Sequence, residues 1–201
     1  MLRGLLKNRW IFLPLLMLCV VNSSHGWGHV PADSLSLQKI EDRAAGINSV
    51  TSLIIQQNGE QITERYFNGM GRGEATNIKS ASKSIISLLV SIAIEEGYIE
   101  GVHQPIGSYF QDYFAANPDS VKENITIKNL LTMRSGLETT SFHNYGRWVV
   151  SDNWVHFALD QPMEARPGGD MVYSTGTSHL LSVIITRATG MSTKAFAQQY
   201  L

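Results

Sequence analysis

One stretch limits what this chain can become more than any other. Ser80-Ala81-Ser82-Lys83 opens an apolar run through Ile85, Ile86, Leu88, Leu89, Val90, Ile92 and Ile94, which ends at Glu95-Glu96-Gly97. The run is apolar on nearly every side, so a helix here is expected to be buried rather than half covered. Gly97 is its natural stop. A helix beginning near Ser80 puts Ser80 and Lys83 one turn apart on the same face, with the hydroxyl at the positive helix end. A serine nucleophile can be activated by a neighbouring amine in this way, without a histidine. A lysine that accepts a proton near neutrality must have its pKa brought from ~10.4 to about 7, roughly 4 kcal/mol. A helix N-terminus supplies up to ~2 kcal/mol, so burial, which shifts lysines by roughly 3–5 units, has to do most of the lowering. The motif alone is short and common; the rest of the chain must decide.

The 201 residues suffice for one domain with a proper core. Arg3, Lys7 and Arg9 precede an apolar segment from Trp10 to Val21, followed by Asn22-Ser-Ser-His-Gly26. This three-part layout predicts a secretory signal peptide over residues 1–26, with an uncleaved anchor as the rival and the only link to a membrane. The protein is therefore expected to be exported, to the periplasm or beyond. Cys19, the only cysteine, lies inside that segment, so the mature chain has neither a disulfide nor a thiol nucleophile. Without Arg3, Lys7 and Arg9, 13 basic residues face 17 acidic ones, a net of −4, which gives no sign of a nucleic-acid partner. The six histidines show no metal-binding spacing, and no cofactor is expected.

Downstream, the pattern predicts a helix over Val30–Gly46. Two strands follow, Val50–Gln57 and Gln61–Phe67, joined by the hairpin signal Asn58-Gly59. Past the nucleophile helix come a short helix over Pro105–Tyr113, a turn at Asn117-Pro118-Asp119, and a helix capped by Thr126 that stops at Ser135-Gly136. An aromatic loop carries Phe142, Tyr145 and Trp148; Ser151 or Asp152 is expected to cap a helix through Trp154, Phe157 and Leu159. Arg166-Pro167-Gly168-Gly169 forces a turn, and helices over Thr177–Thr189 and Ser192–Leu201 close the sequence.

Tyr173-Ser174-Thr175 lies between that turn and the penultimate helix, 93 residues after Ser80. A tyrosine beside a lysine can pass a proton between nucleophile and leaving group; taken alone, Tyr173 reads rather as a half-buried aromatic with a free hydroxyl. Three pieces occur in order: Ser80-Ala-Ser-Lys83, Ile125-Thr-Ile-Lys-Asn-Leu-Leu-Thr-Met-Arg-Ser-Gly-Leu137, and Arg166-Pro-Gly-Gly-Asp-Met-Val-Tyr-Ser-Thr-Gly176. Together they make the chain, from about residue 35 onward, resemble the serine β-lactamase-like family. That family holds class C β-lactamases, D-alanyl-D-alanine carboxypeptidases, esterases and 6-aminohexanoate-oligomer hydrolases. The stretch Ser151-Asp-Asn-Trp-Val-His-Phe-Ala-Leu159 looks closest to the aminohexanoate branch.

The resemblance implies an α+β fold of the β-lactamase/transpeptidase type, an antiparallel sheet with flanking helices plus a helical subdomain. It implies Ser80 as nucleophile, Lys83 as its base and Tyr173 as second proton carrier, with Thr175, Tyr145 and Trp148 toward substrate. Two departures stand out. Thr175 replaces the family's usual asparagine, so no side-chain amide is offered to a substrate carbonyl. The family's late Lys-Thr-Gly or His-x-Gly strand, which also supplies an oxyanion donor, has no counterpart before Leu201. Residues 27–201 are thus expected to be the N-terminal part of such a domain, with the later strands missing. The expected reaction is acyl transfer through a serine ester to water, on a small ester, linear amide, D-alanyl peptide or β-lactam. The rival reading is an incompetent fragment or a member that only binds ligand. Ser151-Asp152-Asn153 spells a signature used by other serine β-lactamases, but a capped short helix explains it as well.

Overall fold

The structure, a computed structural model, describes residues 34–201. The predicted signal segment, Cys19 and the first residues of the predicted N-terminal helix lie outside the described residues. The described chain falls into two units that divide after Ala75.

The first unit holds helix α1 (Ser34–Ala45) and a hairpin of β1 (Ser52–Gln57) and β2 (Glu60–Tyr66). Gln57 pairs with Glu60, so the turn is the two residues Asn58 and Gly59. Both have positive φ, 53° and 84°. That is the backbone a two-residue hairpin needs and only Asn and Gly take readily. A register shift between Ile55 and Gln56 bends the ladder. Glu41 of α1 ties helix to hairpin, accepting hydrogen bonds from the Thr63 hydroxyl and, at 3.0 Å, from Arg65 Nε.

The second unit is helical: α2 (Ser82–Glu95), α3 (Gln111–Ala116), α4 (Ser120–Glu123), α5 (Ile127–Leu131), α6 (Tyr145–Val149), α7 (Trp154–Asp160), α8 (Thr175–Thr189) and α9 (Thr193–Tyr200). Its organising element is α8, against which α2, α5, α7 and α9 all pack. Leu180, Leu181, Ile184 and Ile185 of α8 meet Leu89, Val90 and Ala93 of α2, Leu130 of α5, Leu159 of α7 and Phe196 of α9 in one core. This corrects the expectation for the apolar run. Only one side of α2 is buried, while Ile85 and Leu88, the latter half exposed, face outward. The end of α2 is as expected. Gly97 N–H bonds Ile94 O and Tyr98 N–H bonds Ala93 O, a Schellman closure.

Four local expectations also change. The helix predicted over Pro105–Tyr113 is a 3₁₀ turn at Ile106–Tyr109 followed by α3, the break lying at buried Phe110, whose backbone (φ −124°, ψ 35°) is not helical. The turn at Asn117-Pro118-Asp119 runs on into α4, capped by the Asp119 carboxylate. The aromatic loop contains a 3₁₀ turn (Phe142–Asn144) and α6. The cap of α7 is Asn153, whose side chain accepts from Val155 and His156 N–H, while the Ser151 hydroxyl donates to Trp148 O. Thr126 does cap α5, in a reciprocal box with Asn129. The α+β class and the two-stranded antiparallel sheet match the expectation.

Candidate active site

Ser80 occupies a single 3₁₀ turn, Lys79–Ala81, that leads straight into α2. The turn is bought with strain: Lys79, a non-glycine residue, sits at φ 50°, a conformation that costs of order 1–3 kcal/mol and persists only where neighbours enforce it. The enforcing contacts are local. Lys79 N–H donates to Asn77 Oδ1 at 2.8 Å, and the Ser82 hydroxyl donates to Lys79 O at 2.7 Å. That second bond occupies Ser82, the other hydroxyl of the motif, with main chain. Lys83 follows on the first turn of α2 and is half-buried.

Tyr173 reaches this turn from across the sequence. Its hydroxyl donates to Ser80 Oγ at 2.7 Å, and Lys83 Nζ lies 5.2 Å from the centre of its ring. The hydrogen bond with Ser80 is the main cause that holds the Tyr173 phenol below its ordinary pKa; partial burial works against it, and the Lys83 hydrogen bond and charge add to the lowering. Ser80, Lys83 and Tyr173 thus form one cluster of a hydroxyl, an amine and a phenol. It can move a proton off one oxygen while delivering another proton nearby.

Holding Tyr173 there is the work of residues that sequence reasoning missed. Val172 N–H bonds Met133 O at 2.8 Å, Glu164 N–H bonds Gly136 O at 2.8 Å, and Glu138 N–H bonds Pro162 O at 2.9 Å, so the irregular segment before Tyr173 is zipped to the chain that follows α5. Gly136 is required in this zipper: at φ +83°, a Cβ there would lie 2.3 Å from Ala165 O. Beyond it, three consecutive hydroxyls latch Tyr173 itself. Thr139 Oγ1 donates to Tyr173 O at 2.6 Å; Ser141 Oγ accepts from Thr175 N–H at 2.9 Å; Thr140 Oγ1 accepts from Gly176 N–H at 2.6 Å. Ser174 is the N-cap of α8 yet makes no capping bond. It binds Thr140 instead, and the opening N–H groups of α8 are capped from the other segment. A Thr-Thr-Ser triplet has no local pattern that announces a cap for a helix 34 residues away.

The remaining candidates separate. The Thr175 hydroxyl is engaged with Ser141 Oγ at 2.9 Å, so it serves the latch. Tyr145 is half exposed. Trp148 is 5% exposed, packed against Tyr145, Trp154 and His179, with its indole N–H on Trp154 O. It supports the aromatic segment from beneath. Burial among these rings pushes the His179 imidazole below its ordinary pKa. Phe142, named in the aromatic loop but not among the candidate site residues, stands beside the cluster, its ring centre 6.0 Å from that of Tyr173.

The chain resembles, at 20% identity and TM-score 0.60, a Bacillus anthracis protein whose given name is for 6-aminohexanoate-dimer hydrolysis, over 78% of this chain and 44% of that one. The octameric penicillin-binding protein homologue of Pyrococcus abyssi aligns at 23% identity and TM-score 0.60, over 84% and 42%. FmtA of Staphylococcus aureus aligns at 18% identity and TM-score 0.64, over 85% and 48%. The chain spans less than half the length of each of these structures. No curated protein sequence gives a significant match. The β-lactamase family model matches residues 38–201, a span that takes in Ser80, Lys83, Tyr173 and the whole latch, and the chain belongs to the β-lactamase family.

Proposed function

We propose that the chain carries the acylating centre of a serine hydrolase. The observation that carries this reading is the 2.7 Å contact of the Tyr173 hydroxyl with Ser80 Oγ, with Lys83 beside the same ring. Ser80 Oγ attacks the substrate carbonyl and its proton passes to Lys83 as the C–O bond forms. When the tetrahedral adduct collapses, Tyr173 delivers its proton to the departing oxygen or nitrogen and is resupplied from Lys83. Water then attacks the serine ester by the same route in reverse and releases the acid. Tyr173 suits the relay because its phenol, held below its ordinary pKa chiefly by the hydrogen bond with Ser80, gives up its proton more readily.

Small esters and linear amides are the substrate classes this reading favours, the latter in keeping with the name of the Bacillus anthracis neighbour. Thr175 offers no side-chain amide, and its hydroxyl is committed to Ser141, which argues against β-lactams and D-alanyl peptides. Export by residues 1–26 belongs to the same proposal.

The test is turnover of a p-nitrophenyl ester. Ser80→Ala is expected to abolish it, and Tyr173→Phe to reduce kcat by roughly 10²–10⁴ with the unfolding midpoint little changed. Near-normal turnover in Tyr173→Phe would refute the proton relay.

A further inference from the structure

Phe142 is an anomaly that the relay does not use. Its ring is 75% exposed, the most open aromatic side chain among the large exposed apolar residues described. Its backbone stands at φ 51°, a region where a bulky residue is a genuine outlier. The conformation is imposed by buried polar groups on both sides. Ser141 N–H bonds Thr139 Oγ1 at 2.9 Å, Asn144 N–H bonds Ser141 O at 3.1 Å, and the buried Asn144 amide bonds Thr139 O and Glu138 Oε1, each at 3.0 Å. Thr139 and Ser141 of this frame also take part in the latch on Tyr173, so the two rings share part of one polar frame. Strain of this kind survives where the surroundings over-determine it, and it gathers at ligand clamps. Hydrophobic burial does not explain it, since the ring buries little.

The position of the ring says what it would touch. Phe142 flanks Tyr173, with ring centres 6.0 Å apart and planes at 49°, and the Tyr173 hydroxyl is on Ser80 Oγ. In the proposed relay Tyr173 protonates the departing atom, so whatever is bonded to that atom lies on the Phe142 side. We infer that Phe142 is a specificity-determining residue for the leaving group: the frame holds its ring as an open apolar platform that favours esters and amides whose alcohol or amine portion carries an aryl or bulky alkyl group. This rests on Ser80 being the nucleophile. In the step concerned the Ser80 Oγ–carbon bond forms, the carbon–leaving-atom bond breaks, the serine proton goes to Lys83 and the Tyr173 proton goes to the leaving atom.

Two phosphonates with the same alkyl chain test this, one losing p-nitrophenol and the other a bare fluoride. Each makes the same bond to Ser80, and the difference in intrinsic leaving-group reactivity cancels when the ratio is compared between variants, leaving the contact with the departing ring. The readout is the ratio of their second-order labelling rates at Ser80, measured by mass spectrometry, in the protein and its Phe142 variants. In Phe142→Ala the p-nitrophenyl-to-fluoride ratio is expected to fall about five- to tenfold, the effect of losing one aromatic contact, and in Phe142→Tyr to be kept. Phe142→Gly relieves the positive φ, so its urea midpoint is expected to rise while its ratio falls. A ratio unchanged in Phe142→Ala and Phe142→Gly, with both probes still labelling Ser80, would overturn the platform and leave the hydrolase reading intact. Failure of both probes to label Ser80 in the unsubstituted protein would overturn the hydrolase reading and the platform with it.

Discussion

Thr140→Val is the sharpest probe of how the two halves of the site are joined. Thr140 is 1% exposed, and valine has nearly its shape, so the change removes a hydroxyl from a place water does not reach. Two partners lose by it. Gly176 N–H, the second amide of α8, loses its acceptor at 2.6 Å, and the Ser174 hydroxyl loses its neighbour at 3.1 Å while still accepting from Thr140 N–H. An orphaned buried donor costs about 1–3 kcal/mol, and a lost ordinary hydrogen bond about 0.5–1.5 kcal/mol. The new methyl group returns about 0.8 kcal/mol of apolar burial, leaving a net loss of about 2 kcal/mol. With a urea m-value of ~2 kcal/mol/M, the midpoint is expected to fall by about 1 M, followed by tryptophan fluorescence. Because the latch ends at Tyr173, labelling of Ser80 by a fluorophosphonate is also expected to slow, even far below the denaturation midpoint. A midpoint shift under about 0.25 M would refute the cross-capping account, since it would mean that α8 does not depend on the distant hydroxyl.

Other consequences follow from the same contacts. Asn153→Ala should destabilise the protein by about 1 kcal/mol through loss of the α7 cap, whereas Asp152→Ala should be near neutral; equal effects in urea titrations would return the cap to Asp152. His179 is held below its ordinary 6.5 by burial, so the folded state binds fewer protons than the unfolded state once the pH drops below that value. Stability is therefore fully present above pH 6.5 and is lost as pH falls through it. His179→Gln should flatten that part of the midpoint-versus-pH curve, and an unaltered slope would contradict the assignment.

What could be read in the sequence was whatever is encoded locally. Asn58-Gly59 specifies its hairpin because only such residues take two positive φ angles in succession. Gly97 closes α2, and Thr126 with Asn129 starts α5, by contacts within one turn of chain. Ser80, Lys83 and Tyr173 were visible as motif residues, though their approach is a matter of tertiary structure. Illegible were features that need a distant partner. Ile85 and Leu88 look like core residues in a run of apolar neighbours, yet only the side of α2 that meets α8 and α9 is covered. Thr140 and Ser141 read as loop hydroxyls because the amides they cap belong to residues 34–36 positions on. Trp148 and Phe142 belong to one aromatic segment, yet one is packed inward and the other held open, a difference set by the positive φ at Phe142 and the polar frame around it.

A single oxygen, Ser80 Oγ, carries the proposed chemistry, and covalent labelling tests it most directly. The protein is treated with a fluorophosphonate, digested, and the adduct located by mass spectrometry. The adduct is predicted on Ser80 alone, absent from Ser80→Ala and strongly slowed in Lys83→Arg, since arginine keeps its charge and accepts no proton. A label that persists in Ser80→Ala and maps to Ser82 or Ser151 would contradict the account.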